Sequence, residues 1–204
     1  MIDNRFRHFL QSYVDPLLKI YRFIGLSPNG VTVLGCILGI LAAGIAAKNH
    51  FLPAIALWWI GRLLDGTDGI YARHLRQSSE FGAFLDINCD MLAYSSMILA
   101  FLTLWPELYI VWGLILFFYI LCITGALSLG NLLGEEAKTR PSNRKLHLAA
   151  GLAEGGETGI FYTCCLLFPN LVKPFSIVWL FILCITVVSR FFIAHRSLNK
   201  KVKK

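Results

Sequence analysis

The sequence predicts an all-α integral membrane bundle of six transmembrane helices, preceded by an N-terminal amphipathic helix at the interface. Two observations carry this expectation: six long stretches are almost wholly apolar, and the basic charge between them is segregated. The 204 residues are 56% apolar with a mean hydropathy of +0.63, far from the balance of a soluble domain. A span needs about 20 apolar residues, and suitable stretches fall at about 30–48, 51–70, 81–104, 107–131, 149–168 and 174–194. Little is left for a second domain. The expected organisation is a single 1–204 unit, with 1–26 interfacial, about 30–194 the bundle, and 195–204 a basic tail.

Net charge is +7, and where that charge sits decides its meaning. Among the connections on one side only Lys48 and Lys173 are basic, while the other Lys and Arg residues lie at or near the opposite span ends. The positive-inside rule then places both termini in the cytoplasm. The basic excess is orientation signal with some attraction to anionic headgroups of membrane lipids, so no nucleic-acid partner is expected. Arg5 and Arg7 precede no continuous apolar core with a small-residue cleavage site, and a removable signal peptide is not expected. All six cysteines sit in apolar spans without a C-x-x-C pair, which argues against a disulfide framework or zinc.

In chain order, residues 3–24 place Phe6, Phe9, Leu10, Tyr13, Leu17, Ile20, Tyr21 and Ile24 three or four apart with charges between them. That period describes a helix lying in the cytoplasmic interface, kinked or divided at Pro16; a helix packed outside the membrane is the alternative. Ser27 and Pro28 form an N-cap and a first helical proline that start span one. Gly35 and Gly39 permit close helix contact. Span two descends from the outer turn at Lys48–His50, and span three returns to an outer turn at Trp105–Glu107. Residues 135–147 form a basic cytoplasmic loop containing Arg140, either a topology signal or a phosphate site. Span five opens GLAEGGETG with Glu154 and Glu157, and span six brings Arg190 to the cytoplasmic side.

Spans two and three enclose the chemistry. Asp65 and Asp68 are three apart on one helix, and Asp86 and Asp90 four apart on the next, so each pair shares a face. Insertion scales charge about 3 kcal/mol for one Asp at a helix centre, which marks the four as a functional site. Counted from a turn near Gln77, the pairs reach similar depths, where they would repel one another and hold protons unless a cation neutralised them. All-oxygen ligands favour Mg2+, Mn2+ or Ca2+ over zinc. Gly66, Gly69, Ala72 and Gly82 remove bulk around them, and Arg73 is placed to hold phosphate. A metal, a phosphate-binding Arg and a small-residue cradle suggest in-line displacement at phosphorus.

These residues resemble the signature of the CDP-alcohol phosphotransferase family, D-x2-D-G-x2-A-R-x8-G-x3-D-x3-D. Asp65, Asp68, Gly69, Ala72, Arg73, Gly82, Asp86 and Asp90 match it without departure. The resemblance implies transfer of a phosphatidyl group from a CDP-linked donor such as CDP-diacylglycerol to a small alcohol, releasing CMP, in phospholipid synthesis. It implies that Asp65, Asp68, Asp86 and Asp90 hold two divalent ions, Mg2+ or Mn2+, with Asp90 as general base. Gly69, Ala72, Arg73 and Gly82 would take the cytidine and diphosphate, with Asn29 and Thr32 level with them at the span-one entry. It further implies a homodimer and, from a bacterial subgroup with a similar span-five stretch, an inner-membrane location.

Arg140, Glu154, Glu157 and Arg190 are the candidate acceptor contacts, with glycerol 3-phosphate as the expected acceptor. Serine, inositol, inositol phosphate and choline are the alternatives. The two glutamates instead suit a purely structural pairing with Arg62 or Arg190. From a different class, a cation transporter would also place carboxylates in the membrane, but it leaves Arg73 and the fixed glycines unexplained.

Overall fold

The computed structural model describes residues 14–132 and 155–202. Among them every regular element is helical. Helix α1 covers residues 14–23, α2 Pro28–Ala46, α3 Phe51–His74, α4 Glu80–Leu104, α5 Tyr109–Leu132, α6 Gly155–Leu167 and α7 Val172–Val202. Single 3-10 turns, Pro106–Leu108 and Pro169–Leu171, lead into α5 and α7.

Among the described residues four segments are long and apolar enough to cross a membrane: Pro28–Ala46, Glu80–Leu104, Pro106–Leu132 and Pro169–Arg196. This is fewer than the six spans the hydropathy pattern predicts, and the reason differs for the other two. Helix α3 has the length, 24 residues or about 36 Å at 1.5 Å per residue, but carries Arg62, Asp65, Asp68 and Arg73. Helix α6 is described for 13 residues, and the predicted start of its span lies outside the described residues.

The chain divides into two compact units, residues 1–104 and 105–204. In the first, α2 lies against both α3 and α4. Its glycines explain how closely. A Cβ on Gly61 would stand 2.9 Å from the Gly35 carbonyl oxygen, one on Gly35 3.0 Å from that of Gly61, and one on Gly39 2.8 Å from Ala93 Cβ. The Gly35–Gly39 pair therefore makes the close contact its spacing suggests.

Helix α1 adds to this unit by burying Val14, Leu18 and Tyr21 against Val31, Leu64 and Tyr71. Tyr21 OH shares a hydrogen bond of 2.9 Å with Thr67 Oγ1, and Tyr71 OH donates to the Leu26 carbonyl at 3.0 Å. The buried stripe differs from the predicted one: Ile20 and Ile24 are exposed, because the bundle takes the 14/18/21 face. The predicted residues 3–13 lie outside the described residues.

Helix ends are closed by local chemistry. Ser27 Oγ accepts from Gly30 N at 3.1 Å, and Pro28 occupies the first turn, as the sequence suggests. The segments ending before Gly25, Asn49 and Arg76 close with paired reverse bonds onto preceding carbonyls and a left-handed residue, with φ of 69°, 64° and 56°. Gly and Asn adopt that backbone readily, whereas Arg does so at a cost. We expect Arg76→Gly to raise stability by about 1 kcal/mol, read as a higher melting temperature in detergent.

In the second unit, α7 lies against α5 and α6. Trp179 Nε1 donates to Tyr119 OH at 3.1 Å, and Tyr119 OH bonds Tyr162 OH at 3.1 Å. Phe161 stacks on Trp179 with centroids 5.0 Å apart. Buried aromatics whose polar tips satisfy one another define a specific packing.

Candidate active site

Helices α3 and α4 each pack on α2, and the turn that joins them is capped by Ser79, whose Oγ accepts from Gly82 N at 3.0 Å. This arrangement brings Asp65, Asp68 and Asp86 together, with one oxygen of each within 4.8 Å of the others. At an effective dielectric near 20, unit charges at that separation repel by about 3 kcal/mol per pair. Asp68 is buried and accepts a hydrogen bond from Thr32 Oγ1 on α2. Asp65 Oδ1 is buried and has no hydrogen-bond partner among the described residues. A buried carboxylate oxygen without a donor, beside two further carboxylates, fits a hard divalent cation.

Asp90 adjoins this trio through a cation that it shares with Asp65. It accepts from Arg62 Nη1, which also donates to Asp65 Oδ2 at 3.4 Å and to Tyr94 OH at 3.2 Å. Arg62 is held between rings, with its guanidinium carbon 5.2 Å from the Trp58 centroid and 5.1 Å from that of Tyr94. Such contacts suit a cation withdrawn from water. Of the partners considered from sequence for Arg62, Glu154 lies outside the described residues. Arg62 lies one turn before Asp65, and that i,i+3 spacing was the signal available for its place in the cluster.

Beside the aspartates opens a cleft of about 220 Å³. All six predicted nucleotide contacts, Asn29, Thr32, Gly69, Ala72, Arg73 and Gly82, line it together with Asp68 and Asp86. The glycines differ in what they permit. A Cβ on Gly82 would meet Asn29 Oδ1 at 3.2 Å and one on Gly69 would meet Arg73 Nη1 at 3.4 Å, whereas Gly66 has nothing within 4 Å. Gly82 thus lets Asn29 reach across from α2. The turn residues Gln77, Ser78 and Ser79 also line the cleft. Sequence reasoning passed over them because turn residues carry no chemical signature of their own.

The acceptor candidates divide differently. Arg140 and Glu154 lie outside the described residues. Glu157 sits in the first turn of α6. Arg190 on α7 donates through Nη1 to the Cys122 carbonyl, and its buried Nε has no hydrogen-bond partner among the described residues.

Comparison with known proteins is consistent with this geometry. The inner membrane protein YnjF of Escherichia coli K12 is 29% identical over 172 residues, 83% of each chain. The archaetidylinositol phosphate synthase of Pyrococcus horikoshii is 30% identical over 96 residues, 47% of this chain and 50% of its own length. The fold resembles that of Mycobacterium tuberculosis phosphatidylinositol phosphate synthase with CDP-DAG bound, at TM-score 0.63 and 19% identity, covering 88% of this chain and 92% of that one. A second structure of that protein, in complex with manganese and citrate, gives 0.58 at the same identity, covering 88% and 87%. The sequence profile of the CDP-alcohol phosphatidyltransferases matches residues 25–151, across the cleft and all four aspartates. This protein, an integral membrane enzyme, belongs to the CDP-alcohol phosphatidyltransferase family.

Proposed function

We propose that the chain transfers a phosphatidyl group from CDP-diacylglycerol to an inositol-class alcohol, inositol phosphate foremost, and releases CMP. The observation that carries the donor half is the cleft in which Arg73, Asn29, Thr32 and the small residues adjoin Asp68 and Asp86. The acceptor rests on relatives that are inositol phosphate-lipid synthases, such as that of Pyrococcus horikoshii, and it replaces the glycerol 3-phosphate expected from sequence. Arg190 is the residue we assign to the phosphate of a phosphorylated acceptor. A guanidinium suits planar recognition of phosphate.

In this reading Arg73 holds the donor diphosphate, and Asn29, Thr32, Gly69, Ala72 and Gly82 shape the cytidine and diphosphate pocket. Asp65, Asp68 and Asp86, with Asp90 completing the set, hold divalent ions. Those ions supply neutralisation of the diphosphate charge. The Asp90 carboxylate takes the acceptor hydroxyl proton as the oxygen attacks the phosphatidyl phosphorus. The bond to the bridging oxygen then breaks, and CMP departs. The same reading places the chain as one six-span domain in a bacterial inner membrane, with cytoplasmic termini and a cleft open to the cytoplasm, in a homodimer.

The test supplies purified enzyme with CDP-diacylglycerol and Mn2+ and presents inositol phosphate, inositol, glycerol 3-phosphate, serine and choline singly, with mass detection of the lipid. A phosphatidylinositol phosphate product is expected. A product with glycerol 3-phosphate alone would overturn the acceptor assignment.

A further inference from the structure

The four aspartates of the signature are not equivalent in this chain. Three gather within 4.8 Å, while the fourth, Asp90, receives the guanidinium of Arg62. That guanidinium is fixed: its side chain is 8% exposed, it lies against Trp58 and Tyr94, and Nη1 alone serves Asp65, Asp90 and Tyr94. Its Nε and Nη2 are buried without hydrogen-bond partners among the described residues. A cation so placed neutralises Asp90 from within the protein and repels a dication approaching that carboxylate.

We propose that Arg62 is a built-in counter-cation for Asp90 that makes ion loading stepwise. The first divalent ion enters at Asp65, Asp68 and Asp86, through the unpartnered Asp65 Oδ1. A second engages Asp90 only when donor diphosphate brings enough negative charge to offset the guanidinium. This rests on the reading of the aspartates as the ion site, and it makes Arg62 a positioning residue whose effect is read in binding. It gives the second ion a physical reason to arrive with substrate, so that Asp90 is exposed for catalysis only in the loaded complex. Attraction among unlike charges in a partly buried site is strong enough to order such events.

The test is equilibrium Mn2+ binding to the purified full chain in detergent, read by the electron paramagnetic resonance signal of free Mn2+, with and without CDP. Wild type is expected to bind one ion tightly alone, and a second at least tenfold more tightly when CDP is present. Arg62→Met, which keeps an apolar stem between the two rings, is expected to bind the second ion without CDP. Arg62→Lys, which keeps the charge, is expected to retain the dependence on CDP. The wild-type titration stands by itself if Arg62→Met fails to fold. Two equally tight ions in wild type without CDP would overturn the proposal while leaving the carboxylate site intact. No ion bound, and no change on Asp65→Asn, would instead overturn the underlying reading of that site.

Discussion

Asp68→Asn is expected to lower CMP release from CDP-diacylglycerol by about a thousandfold or more, in line with losses on removing a group that stabilises transition-state charge. The substitution is nearly isosteric, and the amide oxygen still accepts from Thr32 Oγ1, so the α2–α3 contact survives. The carboxylate trio loses one of its three charges, and the remaining pair can hold an ion less tightly. Repulsion within the ion-free site falls at the same time, by about 3 kcal/mol per removed pair before solvent and neighbouring charges reduce it. The melting temperature in chelator should therefore stay level or rise while activity collapses. That combination separates a site residue from a packing residue, since loss of packing lowers both. Calorimetry in EDTA alongside a CMP assay decides it.

Gly61→Val is expected to act in the opposite order, through structure first. The obstacle is the Gly35 carbonyl oxygen at 2.9 Å from an added Cβ, with Leu38 Cβ at 3.3 Å. A backbone oxygen cannot rotate away, so α2 and α3 must separate. Overpacking costs about 1–3 kcal/mol, and the β-branched side chain adds a smaller helix penalty. Separation also draws Thr32 from Asp68 and widens the cleft that both helices line. Gly44→Ala is the matched control on α2: nothing lies within 4 Å of its Cβ position, and helix propensity favours Ala by about 1 kcal/mol. Thermal melts of the two variants should move in opposite directions from wild type.

The positions of the site were more legible than its internal pairing. Asp65 and Asp68, and Asp86 and Asp90, share faces by helical period alone, and the turn between α3 and α4 sets their common depth. The glycines at 69 and 82 were readable as removed bulk, and both adjoin side chains that a Cβ would press, Arg73 and Asn29. At Gly66 the Cβ position is open among the described residues. The pairing of Asp90 with Arg62 was not legible. It depends on Arg62 reaching between two helices to a residue 28 positions away, and no periodicity reports the rotation of one helix about another. The same limitation applies to α1, whose period was visible but whose buried face was set by the bundle. Helix α3 likewise carries its functional charges at the expense of the apolar composition by which spans are recognised.

The central claim is that the Asp65–Asp90 hairpin performs metal-dependent phosphatidyl transfer from a CDP-linked donor. Its most direct test is CMP release by wild type and Asp68→Asn with CDP-diacylglycerol and inositol phosphate, before and after chelation and on return of Mn2+. The account predicts CMP from wild type only with the ion present, in step with new phospholipid, and almost none from the variant. CMP release that ignores both chelation and Asp68→Asn would contradict it.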